Sequence, residues 1–428
     1  MEVFFLYEEK NYPGHFLNKN LGGSTVDKLC SQSFCKIVGD GIYKFSFVGL
    51  MLSDEDLVAF LPKYYDHLQQ DPKTEESELV LLNRVLQKAG RYFDDHILSG
   101  DEESFINSGK LGIYMDLLEN YMESGWYTPY FQIETNDYNH TIDWTKTVQK
   151  FSPVLTGREV IYPEVSSRNI LSESNDVIAL LHRSVVAEAY ETIGRFVYPD
   201  LYLEADRIPE LEKYPDDYLG VLVTRRLNET FRDDDIKTLS LLSRYLNQKN
   251  SNENSTDISV FGTNAFYYIW EFACSVAFGN QKHLQGYFRE PVWHLSGTDY
   301  RSRGRLIPDI LLEENGSLYI LDAKYYLPKY YTGKGTVENE PKTESISKQI
   351  LYQLTLEKVK ETPMVYNGFL FPMPTLIAGS KPIREYKFNR TDYTYISPLD
   401  RYRIHINYVS AGSVFQNFLR NARIRTIV

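Results

Sequence analysis

The early part of the chain carries a strand pattern. "YKFSFVGLML" (residues 43–52) alternates and is rich in β formers, and "DLVAFLPKYY" follows after a polar turn, so strands are predicted up to about Tyr65. From about Ser77 to Glu123 the period lengthens to that of a helix. "SELVLLNRVLQKAGRYF" sets Leu79, Leu82, Val85 and Leu86 on one helical face, and "MDLLENYMESGW" predicts a second helix stopped near Gly125. The stretch from about Tyr127 to Tyr162 is mixed, with a helix beginning near Asp143. A long helix is predicted over Ser174–Val197 and another over "DDDIKTLSLLSRYLNQK". Asn247–Asp257 is polar and aperiodic, which marks a linker and domain boundary. Three regions follow: a β-rich one over residues 1–75, a mainly helical one over 76–250, and a unit of domain size over 251–428.

Composition changes this picture little. Of 428 residues, 43% are hydrophobic and 24% charged, which is ordinary for a soluble globular protein with two or three domains. Cys30, Cys35 and Cys274 are three cysteines without a C-x-x-C pair, so a disulfide framework or zinc cluster is not expected and a reducing cytoplasm fits. The first residues lack a basic region ahead of an apolar run, so no signal peptide is expected. No apolar stretch reaches the roughly 18 residues needed to span a bilayer, so no membrane role is expected. The net charge of −12 argues against a passive nucleic-acid coat. The tail from Arg401 has five arginines and no acid; it reads either as a local basic surface or as a solvated end.

The last region holds the informative chemistry. "LIPDILLEENGSLYILDAKYY" (residues 306–326) has two apolar runs, each carrying an acid, on either side of Asn315–Gly316. Asn-Gly is a strong signal for a type I′ hairpin turn. With those two residues at its centre, strand partners have numbers summing to 631, so Asp309 faces Asp322. Lys324 shares the face of Asp322. Two like charges directly opposite are destabilising unless a cation lies between them or one carboxyl keeps its proton. Mg²⁺ takes one or two carboxylates plus waters and phosphate oxygens, and there it would polarise a phosphodiester and acidify its bound water. The ammonium of Lys324 is placed to orient the attacking water or offset charge on the phosphoryl oxygens. The plainer reading is a structural Asp–Lys pair beside a turn Asp; the shared register favours chemistry.

"PDILLEENGSLYILDAKYY" resembles the core of the PD-(D/E)XK nuclease superfamily. That resemblance implies an α/β (α+β) fold with a mixed sheet flanked by helices, Asp309 and Asp322 on Mg²⁺ (or Mn²⁺ as substitute), and double-stranded DNA as substrate. Upstream, "FGTNAFYYIWEFACSVAFGN" predicts a helix from about Asn264, capped by Thr263 or Asn264 and stopped by Gly279. Glu271 is the only charged residue between Asp257 and Lys282. Its partner is either a lysine or backbone amide, or the same metal; the superfamily resemblance favours the metal.

Downstream, "GKGT" lacks the spacing of a P-loop. The helix "TESISKQILYQLTLEKVK" turns Ile346, Ile350, Leu354 and Leu351 toward the core. Gln349 and Tyr352 share a face, with Lys348 beside them. The resemblance implies a supporting role for Gln349 and DNA contact for Lys348 and Tyr352, against the alternative of a solvated helix face. Arg301, Arg303 and Arg305 share one face if the first strand starts early, and are candidates for phosphate contact.

Within the superfamily, "VFGTNAFYYIWEFAC", "RLIPDI" and "LDAKYY" resemble the LlaJI-type restriction endonucleases, which are related to McrC. "FVGLMLSDEDLVAFLPKYY" and "IDWTKTV" fit the N-terminal part of that family. The resemblance implies a nuclease subunit working with a McrB-like AAA+ GTPase, with the N-terminal half contacting the motor or DNA, and self-association of nuclease domains for double-strand cutting. The rival expectations are a catalytically silent nuclease-fold adaptor and a repair nuclease of the same superfamily.

Overall fold

The computed structural model describes residues 3–424 apart from 22, 54–55, 68–71, 97–104, 173–175, 204–208, 252–257, 291, 302–305, 327–328, 332–335, 360–363 and 375–401. The chain divides into two compact units. One joins Met1–Ser108 and Phe196–Tyr198 to Ile258–Val428, and the other holds Gly109–Arg195 and Pro199–Asp257.

The first unit contains two main sheets. Strands β1 (Val3–Tyr7), β2 (Val48–Leu52), β3 (Leu57–Leu61), β4 (Ile106–Ser108) and β5 (Ser259–Thr263) lie in the order β1-β3-β2-β5-β4. β1 runs parallel to β3, and the other pairs are antiparallel. β2 and β3 are buried at every position. They are central strands covered on both faces, which is why their sequence closes into apolar runs. Two short helices, Gly14–Asn20 and Gly23–Cys30, interrupt the predicted run of strands. They pack Leu17, Val26 and Leu29 onto Phe45, Phe47 and Phe60. Stripes of one to three apolar residues are too short to reveal a helical period.

β5 changes the domain reading. It inserts between β2 and β4, so residues 1–75 do not stand apart from the segment after Ile258; both build one sheet. The junction is a facing pair, Gly49 and Gly262. Their φ values are +147° and +154°, and a Cβ on Gly262 would lie 2.3 Å from the Val48 carbonyl oxygen. Only glycine allows this approach.

The second sheet has β6 (Ile310–Glu314), β7 (Ser317–Ala323), β8 (Met364–Met373) and β9 (His405–Ser410), in chain order. β6 and β7 are antiparallel, while β7, β8 and β9 are parallel. Four longer helices among the described residues serve this unit: α1 (Pro72–His96), α2 (Phe266–Ala277), α3 (Thr343–Val359) and α4 (Ala411–Arg420). All four apolar residues predicted for the face of α1 are buried. α1 packs against α2 and α4, where Tyr92 stacks on Phe272 with ring centroids 4.1 Å apart. α3 lies over β6 and β7 through Tyr352 and Leu356 on Leu311, Leu318 and Ile320.

The basic tail is part of the fold rather than a solvated end. It supplies β9 and α4, which buries Val414, Phe415 and Phe418. Arg423 pairs with Glu314 at 2.9 Å, while Arg401 and Arg425 lie outside the described residues.

The second unit combines helices Gly109–Ser124, Val177–Ala189, Asp216–Glu229 and Asp233–Ser251 with an antiparallel sheet of Tyr130–Thr135, Ser167–Ser172 and Thr141–Ile142. Asp143 caps the helix Trp144–Lys150, accepting from Lys146 N–H at 3.1 Å. Three helices meet at Glu188, which accepts from Lys110, Tyr114 and Tyr245 at 2.8, 2.5 and 2.6 Å. His182 is buried, and its Nδ1 accepts the Tyr127 N–H at 3.1 Å. Burial, helped by the charge of Arg183, pulls this imidazole down to about 4. No helix among the described residues is long and apolar enough to cross a membrane.

Two predictions follow from packing. Gly262→Ala is expected to cost about 3 kcal/mol or more, read as a lowered urea midpoint. Gly220→Ala, in a helix with open space around it, should be neutral or gain up to about 1 kcal/mol. The buried His182 sets an acid limit. The unfolded chain takes up a proton there below about pH 6.5 and the folded chain does not. Stability is therefore present above that value and lost as pH falls toward 4, by on the order of 3 kcal/mol. His182→Asn, which retains an acceptor, should flatten this dependence in urea titrations across that range.

Candidate active site

The hairpin between β6 and β7 turns on Asn315 and Gly316, with φ of 50° and 76°. Its pairs run from Glu314↔Ser317 to Ile310↔Leu321, every pair summing to 631 as the turn chemistry requires. Asp309 is the next residue out. Its Oδ2 accepts the Ala323 N–H at 2.8 Å, so its carboxyl is clamped to the strand that carries Asp322. Beyond Ala323, Lys324 N–H donates to Leu370 O at 2.8 Å, holding the end of β7 on β8. The Lys324 ammonium pairs with Oδ2 of Asp322. That oxygen meets no aligned hydrogen-bond donor among the described residues, so the contact is one of charge more than of direction.

Electrostatics tie a third acid to the pair. Burial raises the Asp309 carboxyl well above the usual range; the charges of Asp322 and Glu271 add to this, and the Ala323 amide and Lys324 oppose it. Glu271 lies half-buried on α2. Burial, then the charge of Asp322, pushes it up to about 7, against the pull of Lys324. The helix that presents Glu271 starts differently from expectation: its N-cap is Ala265, without a side-chain cap. Thr263 instead accepts the Ala265 N–H at 2.9 Å in the turn before the helix. Gly279, with φ of +70°, follows its end.

α3 brings Gln349 into the interior. The residue is fully buried, and neither Nε2 nor Oε1 finds a partner among the described residues. Its backbone carbonyl accepts from Asn367 Nδ2 at 2.9 Å, and the same Nδ2 reaches Gln353 Oε1 at 3.1 Å. Tyr352 is a correction. It is buried against Leu311 and Ile320, and its hydroxyl donates to Ile307 O at 3.2 Å. It is a core residue, not a DNA-facing one, because this stripe of α3 is the one laid on the sheet. Leu351, expected to face the core, is exposed. Lys348 pairs with Glu344 at 2.6 Å along the helix. Arg303 and Arg305 lie outside the described residues. Arg301 is exposed in a separate hairpin, Thr298–Arg301 with Val292–Leu295, and β6 begins only at Ile310, so Arg301 is not an early extension of that strand.

Among the described residues, no three His, Cys, Asp or Glu side chains converge as a ready cluster for a metal ion. The two carboxylates of Asp309 and Asp322 are hard oxygen donors of the kind taken by an ion that keeps most of its waters. Two further groups answer to the acids, and a third supports Gln349. Cys274, one turn along α2 from Glu271, is fully buried; burial and then Asp309 and Glu271 drive its thiol well up. Tyr326 is pushed up to about 12 by burial and then Asp322. Asn367 supports Gln349. Only Asn367 left a trace in the sequence, as a polar residue in the apolar strand "MVYNGFLF".

A family model described as LlaJI restriction endonuclease matches residues 47–380. The chain is 26% identical over 445 residues to the type II restriction enzyme BsuMI component YdjA of Bacillus subtilis (strain 168), covering 99% of this chain and 90% of that protein. Among solved structures, a half-complex from a tetradecameric assembly of Thermococcus gammatolerans McrB AAA+ hexamers with bound McrC aligns with a TM-score of 0.39 and 13% identity, over 98% of this chain and 99% of that one. The McrBC complex of the same organism aligns at 0.28 and 12%, over 63% and 85%. Scores this low do not establish a shared overall arrangement.

The crowded acids carry a stability signature. The folded chain holds the Asp309 proton to higher pH than the unfolded chain does. It therefore binds more protons in that window, and stability falls as pH rises through it. Asp309→Asn removes this cost and keeps an acceptor for the Ala323 N–H. Without divalent ions, its melting temperature should exceed that of the parent by roughly 2–6 °C at about pH 8 and match it at about pH 4. A lower melting temperature at the alkaline end would show that the acids do not strain one another.

Proposed function

The chain belongs to the LlaJI restriction endonuclease family, and from that premise we propose that it is the Mg²⁺-dependent DNA-cutting subunit of a restriction system, with PD-(D/E)XK chemistry. The observation that carries this reading is the hairpin register that sets Asp309 beside Asp322, with Lys324 paired to Asp322 at the strand end. Asp309 and Asp322 would hold Mg²⁺, or Mn²⁺ in its place, with Glu271 assisting. When bound, that ion polarises the scissile phosphate and acidifies a coordinated water. From its place against Asp322, Lys324 would orient the attacking water or offset charge on the phosphoryl oxygens. Gln349, whose amide has no other partner among the described residues, steadies the site from α3. Exclusion of bulk water by the surrounding burial strengthens each of these contacts.

The motif resemblance extends the reading to a separate McrB-like AAA+ GTPase as partner, double-stranded DNA as substrate, paired nuclease domains for double-strand cuts, and a cytoplasmic setting. Lys348 would reach phosphate only by giving up Glu344.

The test is plasmid cleavage in Mg²⁺, with and without a McrB-like AAA+ GTPase. Asp309→Ala and Lys324→Ala should each lower the cutting rate by about 10³-fold or more, and a chelator should abolish it. Mg²⁺ should raise the melting temperature of the parent but not of Asp309→Asn. Variants that cut like the parent sink the site. A parent that binds the GTPase but never cuts is an adaptor.

A further inference from the structure

The end of β7 is anchored from outside its own sheet. β7 stops at Ala323, so Lys324 lies beyond the ladder, and the next residue, Tyr325, is buried. The Tyr325 hydroxyl donates to the carboxylate of Glu8, 317 positions away in the chain. Glu8 directly follows β1 and is only 7% exposed. Its place is fixed twice: its N–H donates to Leu61 O at 2.9 Å, and its Oε2 accepts the Lys63 N–H at 3.3 Å. The Lys63 ammonium lies 4.5 Å from the centre of the Tyr325 ring. That ring also meets Phe266, the first residue of α2, at 5.2 Å, and Tyr64 at 6.1 Å. One side chain therefore touches the segment carrying Lys324, the helix carrying Glu271, and the N-terminal sheet.

Burial raises the Glu8 carboxyl above its ordinary value, with Lys63 and the Tyr325 hydroxyl opposing. An acid kept inside at that cost asks what it secures. We propose that Glu8, acting through Tyr325, is a positioning residue that holds Lys324 against Asp322, so that the N-terminal sheet sets the geometry of the cutting site. The inference rests on the nuclease reading for its consequence, but not for its geometry. A lysine just outside a strand ladder keeps its aim only while the backbone after it is fixed. Tyr325 does this with a ring seated on two aromatic neighbours and a hydroxyl seated on a buried acid.

The test uses the full chain and two readouts. The first is the rate at which acetic anhydride acylates Lys324, followed by mass spectrometry with Lys348 as internal reference; it needs no activity. The second is plasmid cleavage with the kcat and KM contributions separated. Glu8→Leu with Tyr325→Phe removes both ends of this hydroxyl–carboxylate bond together, at the loss of the Lys63 N–H contact to Glu8. In this double variant Lys324 should acylate several-fold faster, and kcat should fall about 10²-fold with KM for DNA unchanged. Glu8→Gln, which still accepts from Tyr325, should restore most of the rate. If the double variant does not fold, Tyr325→Phe alone carries the same measurements. Unchanged acylation of Lys324 overturns the proposal, whatever happens to cleavage. Faster acylation in a chain whose parent does not cut supports the anchoring and overturns only the nuclease reading.

Discussion

Two negative side chains brought face to face at the mouth of a β-hairpin are the constraint around which the first unit is arranged. Left alone, such a pair would push its strands apart. The structure opposes this from several directions. A backbone amide from Ala323 is given to Asp309, the Lys324 ammonium is laid on Asp322, and β7 is bonded to β8 along its length, from Ser317↔Met364 to Ala323↔Leu370. The Asp309 and Glu271 carboxyls nonetheless remain displaced upward, first by burial and then by neighbouring negative charge. A positive charge placed beside such acids would favour their ionised forms.

The surroundings supply rigidity. α3 is wedged over the sheet with buried glutamines at 349 and 353 bracketed by Asn367. α4, from the basic tail, is tied down at its C-terminal end by Lys88 of α1, whose ammonium reaches Phe418 O, Leu419 O at 3.3 Å and Asn421 Oδ1 at 2.8 Å. Of the tail's own charges, Arg423 pairs with Glu314 at 2.9 Å, so part of this basic segment is used inside the fold.

How much of this could be read in the sequence depended on range. The hairpin was readable because its register is local: Asn315 and Gly316 tolerate positive φ, and that alone fixes which residues oppose. The face of α1 and the helix start near Asp143 were readable for the same reason, each being decided within a few residues. Pairing across the chain was not. Nothing in "SVFGT" names "VGLML" as its neighbour, so the local pattern alone sets the N-terminal strands apart from the segment after Ile258. Tyr352 failed for a subtler reason. α3 buries Gln349, Ile350, Tyr352, Gln353 and Leu356, a wide surface that includes polar residues. Polarity therefore did not mark its outer face, and spacing could not tell which stripe met the sheet.

The facing glycines of β2 and β5 also bear on the order in which the protein is made. Strands born within the first 61 residues cannot complete their sheet until residues 259–263 have left the ribosome, and the intervening segment from Gly109 to Asp257 is a compact unit of its own. Synthesis therefore delivers that inserted body first and closes the sheet around its two ends afterwards. The acid-bearing hairpin emerges later still. A chain halted midway therefore lacks Tyr325, whose hydroxyl Glu8 accepts from, and the acid pair that the hairpin brings together.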